Sequence, residues 1–177
     1  MQSVRIGAIV LVSIFAILQF IRPDRSAGTV GGPEAIAATF PVPADVDRVL
    51  AKACNDCHSN ATRYPWYSEI QPVGWWIQDH IDDARSHLNL DEFGSLNLAR
   101  QYHKLQEIES EVRDEMMPLD SYLPMHPDAR LSTDERRLLT TWALSLRDSM
   151  RSWYPEDSLQ RRRSRPETIT DSTETNS

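Results

Sequence analysis

An all-α fold is expected for this chain, on three observations. Apolar residues recur every three or four positions in several separate stretches, and no run alternates with period two. Pro 11 against Gly 6 leaves few of the glycine turns that short-stranded barrels and sandwiches use. With 177 residues, 40% hydrophobic and 25% charged, the composition is that of a globular chain with room for one domain. Lys+Arg 19 against Asp+Glu 26 gives a formal net charge of −7, which argues against a nucleic-acid partner, since phosphate binding needs a clustered basic face. Two cysteines make no disulfide framework.

Residues 6–21, IGAIVLVSIFAILQFI, carry no charge and lie between Arg5 and Arg22. As a helix this stretch would extend about 24 Å, a little short of the ~30 Å hydrocarbon core. Signal-peptide cleavage needs small residues just beyond the apolar run, and Arg22-Pro23-Asp24-Arg25 stands there instead. An uncleaved single-pass transmembrane anchor is therefore expected over residues 1–25, ahead of a cleaved signal. Residues 26–43 are small, Gly/Ala-rich and proline-bounded, and are expected to be a linker.

Residues 44–157 form the expected folding unit. Val46, Val49, Leu50 and Ala53 mark a short helix running into Cys54. Trp76, Ile77, His80, Ile81, Ala84 and Leu88 mark a second helix after Pro72-Val73-Gly74. Leu98, Tyr102, Leu105, Ile108, Val112 and Met116 mark a third, which Pro118 is expected to stop because the residue before a proline is pushed out of helical geometry. Ser132-Thr133-Asp134-Glu135 fits a capping box, with Leu138, Leu139, Trp142 and Leu146 as the buried stripe of a fourth helix. The loops at 55–72 and 117–131 are longer than a compact bundle uses unless they wrap something. Residues 158–177 lack apolar periodicity and are expected to be a disordered tail, its basic cluster Arg161-Arg162-Arg163-Ser164-Arg165 solvated.

Both cysteines fall in one string, Cys54-Asn55-Asp56-Cys57-His58. C-x-x-C-H is the attachment signature of c-type haem. Two thiols three residues apart on a helix-to-loop turn reach the two vinyl groups of one porphyrin as thioethers, and the next residue projects beneath the iron as a ligand. One covalent haem c through Cys54 and Cys57, with His58 on the metal, is the expectation. A dithiol redox pair would need no following histidine and normally sits after a strand. A zinc site would need a fourth ligand, which His80 or His87 could supply, but the usual second pair of ligands is missing.

A sixth ligand must come from elsewhere. Met116 continues the third helix's apolar stripe and is expected to pack in the core. Met117, turned out of the helix by Pro118, is the expected distal ligand, and methionine suits haem iron and raises its potential. His126 is second choice. His80 is expected to be a core histidine, and His87 and His103 to see solvent. Tyr64, Trp66, Tyr67, Trp75 and Trp76 follow the motif and are flat apolar cover for a porphyrin, Trp66 and Tyr67 foremost. The Pro72 carbonyl is expected to accept the second ring N–H of His58 and fix its orientation.

The residues resemble the haem-binding domain of bacterial exported proteins in which C-x-x-C-H is followed by P-W-Y and later by M-P. The likeness runs through Cys54–His58, Ser59-Asn60, Thr62, Pro65-Trp66-Tyr67-Ser68, Ile70, Pro72-Val73, Trp75-Trp76, His80, Arg85, Leu88-Asn89 and Phe93. It continues through Met117-Pro118-Leu119, Tyr122, His126-Pro127, Leu131-Ser132, Glu135-Arg136 and Trp142. The usual Asn-Phe-Ser-x-Trp is here Asn89-Leu90-Asp91-Glu92-Phe93. The resemblance implies a monohaem, cytochrome-c-like helical domain and no defined reaction.

Two functions remain open: a six-coordinate one-electron carrier that does no bond chemistry, which is the expectation, and a haem sensor or peroxidase-like enzyme with an open distal side. The acid/base pair that peroxide chemistry needs is not evident. Because covalent haem is attached outside the bacterial cytoplasmic membrane, the domain is expected on its outer, periplasmic face. A redox partner with a basic docking surface is expected for so acidic a domain.

Overall fold

The computed structural model describes residues 1–160 and is all-α, with eight α-helices and no strand among the described residues. In chain order these are α1 (Gln2–Leu18), α2 (Ile36–Thr39), α3 (Ala44–Ala53), α4 (Asn55–His58), α5 (Val73–His87), α6 (Leu98–Arg113), α7 (Thr133–Trp153) and α8 (Glu156–Leu159). Single 3₁₀ turns lie at Trp66–Glu69, Phe93–Ser95 and Pro127–Ala129.

The core is the seam between α6 and α7, closed by α3. Leu105 and Val112 of α6 meet Leu139, Trp142, Ala143, Leu146 and Met150 of α7, while Val46, Val49 and Leu50 come from α3. The capping box forms as expected: Ser132 Oγ accepts from the Glu135 N–H at 3.2 Å, and Glu135 Oε2 accepts from the Ser132 N–H at 2.8 Å. Glu109 and Arg147 are both buried between the two long helices, and Arg113 pairs with Glu109 as well.

Helix α6 ends earlier than Pro118 would require. Glu115 has φ 60°, the Met116 N–H donates to the Glu111 carbonyl at 2.9 Å, and the Glu115 N–H to the Val112 carbonyl at 3.4 Å. That is a Schellman stop, with the chain already left-handed at Glu115. Met116 consequently lies beyond the helix with 61% of its surface exposed, correcting its expected core role.

Three boundaries also differ from expectation. The linker is not a free tether: Ala35, Ile36 and Phe40 are buried, the Ile36 N–H donates to the Leu90 carbonyl at 2.7 Å, and Trp142 Nε1 donates to the Pro41 carbonyl at 3.2 Å. Small residues there let the backbone lie close against the domain, and three apolar side chains anchor it. The tail begins later than residue 158, because Leu159 is buried in the core cluster; the basic cluster lies outside the described residues. Helix α1 is 17 residues, about 25 Å at 1.5 Å per residue, and no helix among the described residues is long and apolar enough to cross a membrane. The expected transmembrane span is therefore not found.

One glycine positions the aromatic loop. A Cβ on Gly74 would lie 2.2 Å from the Ser68 carbonyl oxygen and within 2.9 Å of the buried Gln71 amide. Gly74→Ala is expected to cost about 1–3 kcal/mol, as overpacking does, read as a lowered denaturant midpoint with unchanged slope.

Candidate haem site

Helix α3 delivers Cys54 as its last cap, and α4 is the single turn that carries the motif to His58. The Cys57 and His58 N–H groups both donate to the Cys54 carbonyl, at 3.1 and 2.9 Å, so the turn holds both cysteines and the histidine on one short arc. Both cysteines are free thiols.

The segment 88–91 fixes that arc. His58 Nδ1–H donates to the Leu88 carbonyl at 3.0 Å, the Leu90 N–H donates to the His58 carbonyl at 2.7 Å, and the Asn60 N–H donates to Asp91 Oδ2 at 2.7 Å. Leu88 caps the C-terminus of α5, where a carbonyl lacks a helical partner and takes one from outside. This is the orienting carbonyl expected of Pro72. The Pro72 carbonyl instead accepts the Trp76 N–H at 3.2 Å, inside the first turn of α5. A proline opening a helix commits its carbonyl to that helix, which is why the expectation fails. Nothing in residue type marks Leu88, because the group used is a backbone oxygen.

A cavity of about 450 Å³ opens beside His58. Leu50, Leu88, Leu90, Ile108, Val112 and Leu139 line it, together with Cys54, His58 and Met117, and the more exposed Asp83, His87, Glu107 and Glu111 complete the lining. Met117 thus reaches the same cavity as the motif. A smaller cavity of about 110 Å³ is lined by Cys57, Tyr67, Trp76, Tyr122, Met125 and His126, and His80 and Leu119 line both. His126 faces only the smaller one, stacked on Tyr122 with ring centroids 3.9 Å apart. As second choice for the distal ligand it gives way to His80. That ring is half-buried rather than in the core, and its Nδ1–H donates to the Trp76 carbonyl at 2.8 Å. Tyr67 lines the smaller cavity, but Trp66 is 73% exposed and lines neither, because successive side chains of a 3₁₀ turn diverge by a third of a turn.

Burial sets the electrostatics. It pushes the Cys54 thiol up to about 12 and raises that of Cys57, which Asp56 reinforces. A dithiol oxidoreductase needs the opposite, a thiol lowered toward neutrality. His58 is held below its ordinary value by burial, with the bond to Leu88 opposing, so its neutral form is favoured. Its Nδ1 is committed and Nε2 is left as the donor atom a metal takes. Asp56 accepts from Tyr122 Oη at 2.9 Å and from Arg63 Nε at 3.0 Å, a half-buried brace between the cysteines that motif spacing alone does not reveal. Among the described residues no three His, Cys, Asp or Glu side chains converge as a cluster that could hold a bare metal ion.

An apolar chamber, two thiols on one arc, an oriented neutral imidazole and a thioether lining the same chamber define a haem-protein site in a helical domain. The chain matches the haem-binding domain family over residues 13–145, and it belongs to that family. No curated protein and no solved structure matches it.

Proposed function

We propose that this protein is a c-type one-electron carrier with a cytochrome-c-like domain. In this reading haem is bonded through Cys54 and Cys57 and ligated by His58 and Met117. The observation that carries it is the shared cavity: Cys54, His58 and Met117 line one apolar chamber, with His58 Nδ1 bound to the Leu88 carbonyl. When bound, haem iron supplies reversible one-electron exchange. The chain's own residues would bind and orient it: the thiols would tether it, the Leu88 carbonyl holds the imidazole plane, and Leu50, Ile108, Val112 and Leu139 would give it apolar cover. Two protein ligands, His58 and Met117, would leave no coordination position for peroxide or a gas. The test is a spectrum of the reduced protein with and without carbon monoxide: no change is expected, and a bound-gas spectrum would favour the sensor or peroxidase reading.

The domain is placed on the outer face of the bacterial cytoplasmic membrane, where covalent haem is attached, with α1 inserted in lipid from that side. Residues 45–157 carry 21 acidic and 12 basic side chains, a net charge of −9. A partner with a basic docking surface is steered to such a domain. The bimolecular electron-transfer rate is expected to fall as salt rises from low to physiological ionic strength, and a flat rate would remove steering.

A further inference from the structure

Four of the seven residues past α1, Gln19, Ile21, Arg22 and Arg25, bond to the haem domain. Gln19 and Gln71 bond reciprocally: Gln19 Nε2 donates to the Gln71 carbonyl at 3.1 Å, and the Gln71 N–H to Gln19 Oε1 at 2.9 Å. Trp75 Nε1 donates to the Ile21 carbonyl at 2.8 Å. Arg22 bonds the carbonyl and carboxylate of Glu69 at 2.9 and 2.8 Å. Arg25 pairs with the same carboxylate, donates to the Ser68 carbonyl at 2.9 Å and lies 4.2 Å over the Tyr64 ring. Such a set of bonds to backbone groups holds α1 at a fixed angle to the loop 64–76, in place of a hinge.

That loop is also where the domain exposes large apolar side chains beside the root of α1. Trp66 is 73% exposed and Trp76 50%, with Phe20 at 87% and Ile21 at 56% next to the clamp. On α1 itself four successive residues, Ile9, Val10, Leu11 and Val12, are 49–70% exposed. Four successive residues pass right round a helix. A protein groove covers one stripe of a helix, whereas an apolar phase covers every side, so the occupant of this surface is lipid. Tryptophans and arginines at the root match the interface between hydrocarbon and headgroups.

We propose that the loop 64–76 is a second membrane contact: the clamp at residues 19–25 seats Trp66 and Trp76 in the bilayer interface and fixes how the haem domain faces away from it. The proposal rests on the insertion of α1 proposed above. The holoprotein, full chain, is placed in bilayer discs of phosphatidylethanolamine and phosphatidylglycerol. It is footprinted with hydroxyl radicals from water radiolysis, with Trp153, 58% exposed on α7, as internal reference. Labelling of Trp66 and Trp76 is expected to be lost relative to the lipid-free monomeric holoprotein, in which bound haem is the same, while Trp153 is labelled in both. In the Gln19→Ala, Glu69→Ala double variant the chain should stay in the disc and both tryptophans regain labelling. Equal labelling of all three in the parent, or protection that persists in the double variant, overturns the proposal. The same protection in a lipid-free dimer assigns the face to a second copy and also overturns it. A chain that fails to enter the discs removes the insertion of α1 as well, while the haem reading stands on its own spectrum.

Discussion

Replacing both Cys54 and Cys57 with alanine is expected to leave no haem that survives acid–acetone extraction, whereas the parent retains one per chain by mass. The expectation follows from placement. The two thiols sit on one arc held by the Cys54 carbonyl, and each opens onto one of two adjoining cavities that share His80 and Leu119. Each single variant is expected to keep one thioether and therefore covalent haem in reduced yield. Haem held by ligation alone in the double variant would be stripped by acid, which protonates His58. Equal covalent haem in the double variant and the parent would refute attachment at these cysteines.

The second large effect concerns Met117. Met117→Ala is expected to abolish the weak far-red sulfur-to-iron absorption band and to lower the reduction potential, because a nitrogen or oxygen ligand favours the ferric state that a thioether disfavours. The neighbouring change, Met116→Ala, should leave both untouched and cost little stability, since Met116 is 61% exposed. The pair separates ligation from local damage at the end of α6. If Met116→Ala removes the band and Met117→Ala does not, the assignment is reversed. If neither does, the sixth ligand is nitrogenous, and His80, which lines the cavity beside His58, is the residue to replace next.

What was legible in the sequence follows the range of each signal. Helices α3, α5, α6 and α7 announce themselves by period, and α7 by its capping box, because those signals lie within one element. Cys54, Cys57 and His58 are legible because their chemistry demands fixed spacing. The stop of α6 leaves no mark in the sequence, since the left-handed Glu115 carries no residue signature as a glycine would. The burial of Ala35, Ile36 and Phe40 is a long-range fact: their partners lie on residues 90–93 and in the core cluster, which composition of the segment cannot show. Backbone roles were equally hidden, as the Leu88 carbonyl acting for His58 demonstrates. So was the clamp of Arg22 and Arg25 on Glu69, two arginines that by sequence alone serve as flanks of an apolar run.

Covalent, six-coordinate haem is the centre of this account, and one spectrum addresses it directly. The protein, matured with haem-attachment machinery and purified, is recorded reduced minus oxidised, then again in alkaline pyridine. A sharp reduced α-band, with a pyridine spectrum shifted to the blue as two saturated thioether linkages require, is the expected result. A pyridine spectrum of unmodified haem, or no haem band at all, would contradict it.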